Sequence, residues 1–234
     1  MRRTGETPVL LCVQSMKYII MCGGVTLYNI KDTNDKVPKP FRKIYGERLI
    51  DRTIRQLREN NIEDIAISSL SDIFDDIGVP VLKHDNAMTW DGYVWLHAFY
   101  PMTDPVCYLY GDVFYSDEAI RTIIQTETND IEFFASAPPF SKQYNKRWAE
   151  SFAFKVVNTE WFFFCVKWAQ ELHKRNKFKR PPISWELWQL IKGTTLNEID
   201  YMNYTAINDF TVDIDGEAEA KYMELHGFGR PSRT

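Results

Sequence analysis

Apolar residues run without interruption from residue 18 to residue 22 (YIIMC) and stop at Gly23-Gly24, the pattern of a central parallel strand covered on both faces. Between residues 47 and 60 the period changes. Ile50, Ile54 and Leu57 share one helical face, Leu49 and Thr53 flank it, and Arg52, Arg55, Arg58 and Glu59 lie mostly elsewhere. Residues 64–69 return to a strand pattern, so residues 18–69 read as a βαβ start. After an acidic loop, residues 79–82 predict a short third strand, and residues 89–99 a helix with Trp90, Val94 and Ala98 inward. Residues 105–110 predict a strong fourth strand ending in Gly111-Asp112. Ser116 is then a good N-cap for a helix reaching residue 126, with Asp117 and Glu118 complementing its dipole.

The alternation weakens beyond this point. Residues 131–137 and 151–157 predict strands on either side of PPFSKQYNKRW, and residues 159–174 and 182–192 predict aromatic-rich helices. A late strand over residues 210–214 precedes a closing helix over residues 217–226, capped by Gly227. The tryptophans at 161, 168, 185 and 188 recur at helical spacing and are expected in the core.

Composition narrows the class. A chain of 234 residues, 44% hydrophobic and 26% charged, fits an ordinary globular protein with a sizeable core. One domain over residues 17–234 is expected, preceded by a flexible extension over residues 1–16. The net charge of −4 argues against nucleic acid as a partner, because counterion release needs a concentrated basic surface. The run from His173 to Arg180 follows a predicted helix end, where cations complement the dipole, and reads as a solvated terminus. No apolar run is long enough to span a bilayer, so no membrane partner is expected, and the short VLLCV near the start does not read as a signal peptide. Cys12, Cys22, Cys107 and Cys165 show no CxxC spacing, which suits a reducing, cytoplasmic setting.

Three places could carry chemistry. Lys39-Pro40 follows Gly23 in a loop that the topology returns to the carboxyl edge of the first strand, where ligands of α/β sheets sit. An ammonium there suits a triphosphate, although composition alone favours a solvated lysine in a turn with proline. Asp112, after a turn-permitting glycine, is placed as Mg²⁺ sites require, one or two carboxylates plus substrate phosphates; a plain turn aspartate is the alternative. Asp213 and Asp215 are two apart on a strand and therefore share a face, a costly arrangement unless a cation relieves it. Asp215 could instead cap the next helix. The four histidines show no metal-ligand spacing, and neither a GxSxG elbow nor a P-loop is present.

Taken in order, strand-GG, KPFRKIYGERLIDRTIRQLRENNIEDIAISS, YLYGDVFYS and TVDIDGEAEAKYMEL resemble a nucleotidyltransferase of the GT-A, Rossmann-like kind, the nucleotide-sugar pyrophosphorylases and cytidylyltransferases. The resemblance implies an α/β fold, a three-layer αβα arrangement with a mostly parallel mixed sheet and helices on both faces. It implies transfer of a nucleoside monophosphate from a nucleoside triphosphate to a phosphorylated acceptor, a sugar 1-phosphate or a phosphocholine-like compound, with Mg²⁺ as cofactor. Catalytic positions would be Lys39 and Asp112. Nucleotide contacts would come from Cys22, Gly23, Gly24, Lys39, Asn86 and Gly111, acceptor binding from Lys155, and metal binding from Asp112, Asp213 and Asp215. A homo-oligomer is compatible with this reading. Relatives carry a further glycine and a phosphate-gripping arginine where this chain has Thr26 and Tyr28, and tyrosine cannot supply arginine's charged fork. Arg42 or Lys43 would have to compensate; otherwise the chain is a weakened, nucleotide-binding or regulatory version of the scaffold. A sugar transferase of the same overall fold ranks below both, since Asp112-Val113-Phe114 is not a DxD motif.

Overall fold

Strand β1 (Lys17–Met21) is the strand around which the sheet is ordered in the computed structural model. The structure describes residues 16–22, 38–84, 96, 98–140, 144, 146, 148–179, 182–196 and 198–230. The chain continues through a hairpin, β2 (Lys43–Ile44) and β3 (Glu47–Arg48), into α1 (Leu49–Glu59), then β4 (Ile65–Ser68), β5 (Val81–Leu82) and β6 (Val106–Tyr110). It follows with β7 (Val113–Phe114), α2 (Asp117–Gln125), β8 (Ile131–Ser136), β9 (Glu150–Val156), α3 (Thr159–Lys174) and α4 (Ser184–Lys192). The described chain closes with β10 (Thr205–Ala206), β11 (Val212–Asp213) and α5 (Glu217–His226).

The main sheet has seven strands in the order β10-β8-β9-β6-β1-β4-β5. Pairs β1–β4, β1–β6, β4–β5 and β8–β10 are parallel, and only β9 reverses, running antiparallel to both β6 and β8. The expected three-layer, mostly parallel mixed sheet is therefore what forms. Alternation along β1 shows why. Tyr18, Ile20 and Cys22 pack with Ile50, Ile54 and Leu57 of α1 and Ile120 and Ile123 of α2 on one face. Ile19 and Met21 face the opposite layer, with Phe162, Val166 and Ala169 of α3 and Trp185, Leu187 and Trp188 of α4. Each covered Ile, Leu, Val, Met or Phe among them stabilises the fold by about 1.5–3 kcal/mol.

The structure shifts several expected boundaries. Glu47 and Arg48, expected in the first helix, pair instead with Ile44 and Lys43 in the β2–β3 hairpin. Positive φ at Tyr45 and Gly46 makes that turn, and Arg42 O accepts from Leu49 N at 3.0 Å as the helix begins. Ser116 caps α2 as expected, its hydroxyl accepting from Ala119 N at 2.8 Å. Trp185 and Trp188 are buried, but Trp161 and Trp168 are 39% and 41% exposed, because α3 is covered on one side only. Residues 89–95 and 97 of the expected helix and residues 1–15 of the extension lie outside the described residues; Leu96, Ala98 and Phe99 are described and buried but form no α-helix. No described helix is long and apolar enough to cross a membrane.

Candidate functional site

Sheet topology brings the carboxyl ends of β1 and β6 side by side, and the site is built on that edge. Gly111 N donates to Met21 O at 3.0 Å. A Cβ at Gly111 would stand 2.8 Å from both Cys22 Sγ and Met21 O, so the close approach of the two strand ends requires glycine. Cys22 is buried with its thiol pushed up in pKa, first by burial and then by the charge of Asp112.

Asp112 therefore leaves a rigid strand end at a fixed place. Strand β11 meets it there: Ile214 N donates to Asp112 O at 2.9 Å, and Asp213 pairs across from Val113. Residues about a hundred positions apart in sequence thus place two carboxylates side by side. Lys39 reaches them from a 3₁₀ turn over Lys39–Phe41, anchored by Phe41 packing on Phe74 at 5.1 Å. The Lys39 ammonium lies 3.2 Å from Asp112, 3.9 Å from Asp213 and 2.5 Å from Asp215. Asp215 does not cap α5 through its side chain; Gly216 holds the N-cap position, and its amide donates to Glu219.

The electrostatics follow from this crowding. Burial alone would lower the Lys39 pKa, but Asp112, Asp213 and Asp215 together raise it above the ordinary lysine value. Asp213 is raised well above the usual carboxylate range, first by burial and then by Asp112, with Lys39 opposing. Its buried Oδ1 accepts no hydrogen bond. Its backbone N–H donates to Glu150 at 3.2 Å, and burial pushes the Glu150 carboxyl up to about 7.

These residues line a cleft of about 810 Å³. It is also lined by Tyr144, Lys146, Trp148, Glu150, Phe210 and Phe228, none of which the sequence patterns singled out as site residues. Tyr144, Lys146 and Trp148 sit in the weakly patterned stretch between β8 and β9, Glu150 opens β9, and Phe210 and Phe228 stack on each other with Tyr144 across them.

Lys155 does not join this group. Its ammonium donates to Ile123 O, Ile124 O and Thr126 O at 3.1, 2.8 and 2.7 Å, closing the C-terminal turn of α2, whose last carbonyls lack helical partners. Arg42 donates to Ile214 O at 3.0 Å, so it braces β11. Lys43 is exposed on the hairpin. Gly23, Gly24, Thr26, Tyr28 and Asn86 lie outside the described residues.

Solved structures resemble this arrangement along nearly its whole length. A protein assigned as a glucose-1-phosphate thymidylyltransferase from Bacillus anthracis, solved with sucrose, matches with a TM-score of 0.59 and 14% identity, over 94% of this chain and 97% of that one. The inositol-1-phosphate CTP transferase from T. maritima matches with a TM-score of 0.53 and 15% identity, over 92% and 96%. The chain has the nucleotidyltransferase fold. HddC from Yersinia pseudotuberculosis shares it at a TM-score of 0.50 and 14% identity, over 91% of this chain and all of that one. At these identities the likeness is one of fold. No protein-family model matches the chain, and no curated protein sequence does.

Proposed function

We propose that this chain transfers a nucleoside monophosphate from a nucleoside triphosphate to a phosphorylated acceptor. An acceptor phosphate oxygen bonds to the α-phosphorus, the bond from that phosphorus to the β-bridging oxygen breaks, and pyrophosphate leaves with the electron pair. The observation that carries the reading is the convergence of Lys39 with Asp112, Asp213 and Asp215 at the carboxyl edge of β1 and β6, the edge where α/β sheets hold ligands.

Mg²⁺ suits the donor set. Two hard carboxylates lie together, and the buried Asp213 Oδ1 is without a hydrogen-bond donor. Among the described residues no group of three or more His, Cys, Asp or Glu is placed to hold a metal ion, so substrate phosphates would have to complete the shell. Asp112 and Asp213 would hold the ion, with Asp215 beside them. When bound, Mg²⁺ would neutralise charge on the triphosphate oxygens.

The chain's own groups do the rest by position. Lys39, held charged by its neighbours, supplies a fixed cation for phosphate at that edge. Lys146 lines the cleft, but its ammonium is buried without a hydrogen bond over the Phe152 ring at 5.0 Å, and burial lowers its pKa. The same reading takes residues 17–234 as one domain acting in the cytoplasm, in keeping with the buried Cys107 and Cys165, which form no disulfide.

One observation favours the weakened, nucleotide-binding alternative: Arg42 is committed to Ile214 O and does not stand in for an arginine at position 28. A thermal-shift screen of the four nucleoside triphosphates with Mg²⁺, followed by a pyrophosphate assay on the hit, separates the two. A ligand at a hundred times its Kd stabilises by about 2.7 kcal/mol, about 5–11 °C for a chain of this size. No shift with any triphosphate would remove both readings; a shift without pyrophosphate would leave the binder.

A further inference from the structure

Helix α3 is apolar on two sides. Phe162, Cys165, Val166 and Ala169 are buried in the core, while Trp161, Phe164 and Trp168, spaced three and four residues apart, share the outer face. Phe164 is 55% exposed between the two half-open tryptophans. The Trp161 and Phe164 rings stack at 5.3 Å with their planes 14° apart. Trp161 Nε1 donates to Ile191 O at 3.1 Å, which holds the stripe against the C-terminal end of α4. Single exposed apolar residues are ordinary, but a contiguous aromatic stripe marks a face that meets something other than water.

The charge around this stripe is one-sided. Between Thr159 and Arg180 the chain carries six lysines and arginines against two glutamates, although its overall charge is −4. Of the two, Glu171 is paired with Lys174 at 2.8 Å, and Glu160 lies in the first turn, at the opposite end of α3 from the basic run. Lys167 is exposed next to Trp168, and Arg175, Lys177 and Lys179 are exposed at and beyond the helix end. The helix dipole accounts for a cation in the last turn only, so it leaves Lys177 and Lys179 without a structural reason to be basic.

We propose that the outer face of α3 and the basic run after it dock on an anionic lipid surface, with Trp161, Phe164 and Trp168 at headgroup depth and Arg175, Lys177 and Lys179 against the headgroup charges. Tryptophan favours that depth, and basic residues beside an apolar helix face add attraction to anionic lipid. A helix that lies on a bilayer needs no run long enough to span it. Charge complementarity selects this occupant over a second copy: antiparallel pairing of two α3 helices offers Glu160 alone to the run, and parallel pairing sets the two runs together. Protein partners seat an apolar anchor in a groove, whereas the outer side of α3 is a convex helix surface, which a deformable headgroup layer can cover. The docking face stands apart from nucleotidyl transfer and does not rest on it.

The test is flotation of the full chain with vesicles of phosphatidylglycerol and phosphatidylcholine in equal parts, and with vesicles of phosphatidylcholine alone. It compares wild type, Phe164→Ser, the pair Lys177→Glu with Lys179→Glu, and Leu225→Ser as a control. Leu225 is 82% exposed on α5, which packs with Ile44 of the β2–β3 hairpin and not with α3. Wild type should float with the mixed vesicles, be released by high salt, and stay behind with phosphatidylcholine alone. Phe164→Ser and the charge pair should each weaken binding about tenfold or more, while Leu225→Ser leaves it unchanged. Melting temperatures check that each variant folds, and the charge pair, at exposed positions, carries the test alone should Phe164→Ser unfold. No flotation with the mixed vesicles, equal flotation with the neutral ones, or binding that survives either change in a folded variant would overturn the proposal. A concentration-dependent dimer in the analytical ultracentrifuge that Phe164→Ser dissociates, without flotation, would overturn it in favour of a second copy.

Discussion

Replacing Lys155 by methionine separates a structural lysine from an acceptor-binding one. Methionine keeps most of the buried stem but leaves Ile123 O, Ile124 O and Thr126 O without the ammonium that now donates to all three at 2.7–3.1 Å. Lys155 is 6% exposed, so water can replace the lost donor only in part. A buried acceptor left unpaired costs about 1–3 kcal/mol. Against this, the variant no longer buries an ammonium, a burden visible in the pKa of Lys155, which burial lowers. The balance is a net loss of about 2–3 kcal/mol. For a domain of this size each kcal/mol moves the midpoint by about 2–4 °C, giving a drop of about 4–12 °C. Thermal unfolding followed by circular dichroism reads the drop, and the acceptor KM of the folded variant at low temperature should stay within twofold of wild type. A melting point within about 2 °C of wild type together with a tenfold rise in acceptor KM would refute the capping role and return Lys155 to the acceptor.

Three further outcomes are expected. Gly111→Ala forces a methyl against Met21 O and Cys22 Sγ, each 2.8 Å away, and should cost about 1–3 kcal/mol in denaturant unfolding while also slowing turnover by displacing Asp112; an unchanged midpoint would show that the strand ends can part freely. Tyr28→Arg should tighten triphosphate binding by calorimetry, since a guanidinium grips phosphates bidentately; unaltered or weaker binding would mean the loop works differently here. Deleting residues 1–15 should leave the melting temperature nearly unchanged, and a large drop would mean that the extension packs on the domain.

Much of the frame was legible because it depends on local periodicity. The apolar runs of β1 and β6 and the 3.6-residue period of α1 encode the two faces that the structure covers. Asp112 was legible because a strand end is a geometric fact of the chain; Asp213 and Asp215 do meet at Lys39, but not as alternate strand positions, since β11 ends at Asp213 and Asp215 lies beyond it. What escaped depends on contacts distant in sequence. Nothing in residues 150–156 announces that β9 runs against its neighbours, since an apolar strand reads the same in either direction. Lys155 looked available because its partners, the last carbonyls of α2, are supplied by an element about thirty positions earlier. Lys146, Trp148 and Glu150 became visible only as one wall of the cleft, completed by Phe210 and Phe228.

Magnesium-dependent pyrophosphate release by Asp112→Asn tests the central claim most directly. Asparagine keeps the volume and one acceptor oxygen but removes the charge shared with Lys39 and Asp213. With the triphosphate selected by thermal shift and glucose 1-phosphate and phosphocholine each tried as acceptor, wild type should release pyrophosphate only with Mg²⁺. The variant should lose at least a hundredfold in rate, comparable to removing one preorganised charge-stabilising group, while its circular dichroism spectrum stays that of wild type. Equal rates for wild type and a folded Asp112→Asn would contradict the account and take Asp112 out of the mechanism.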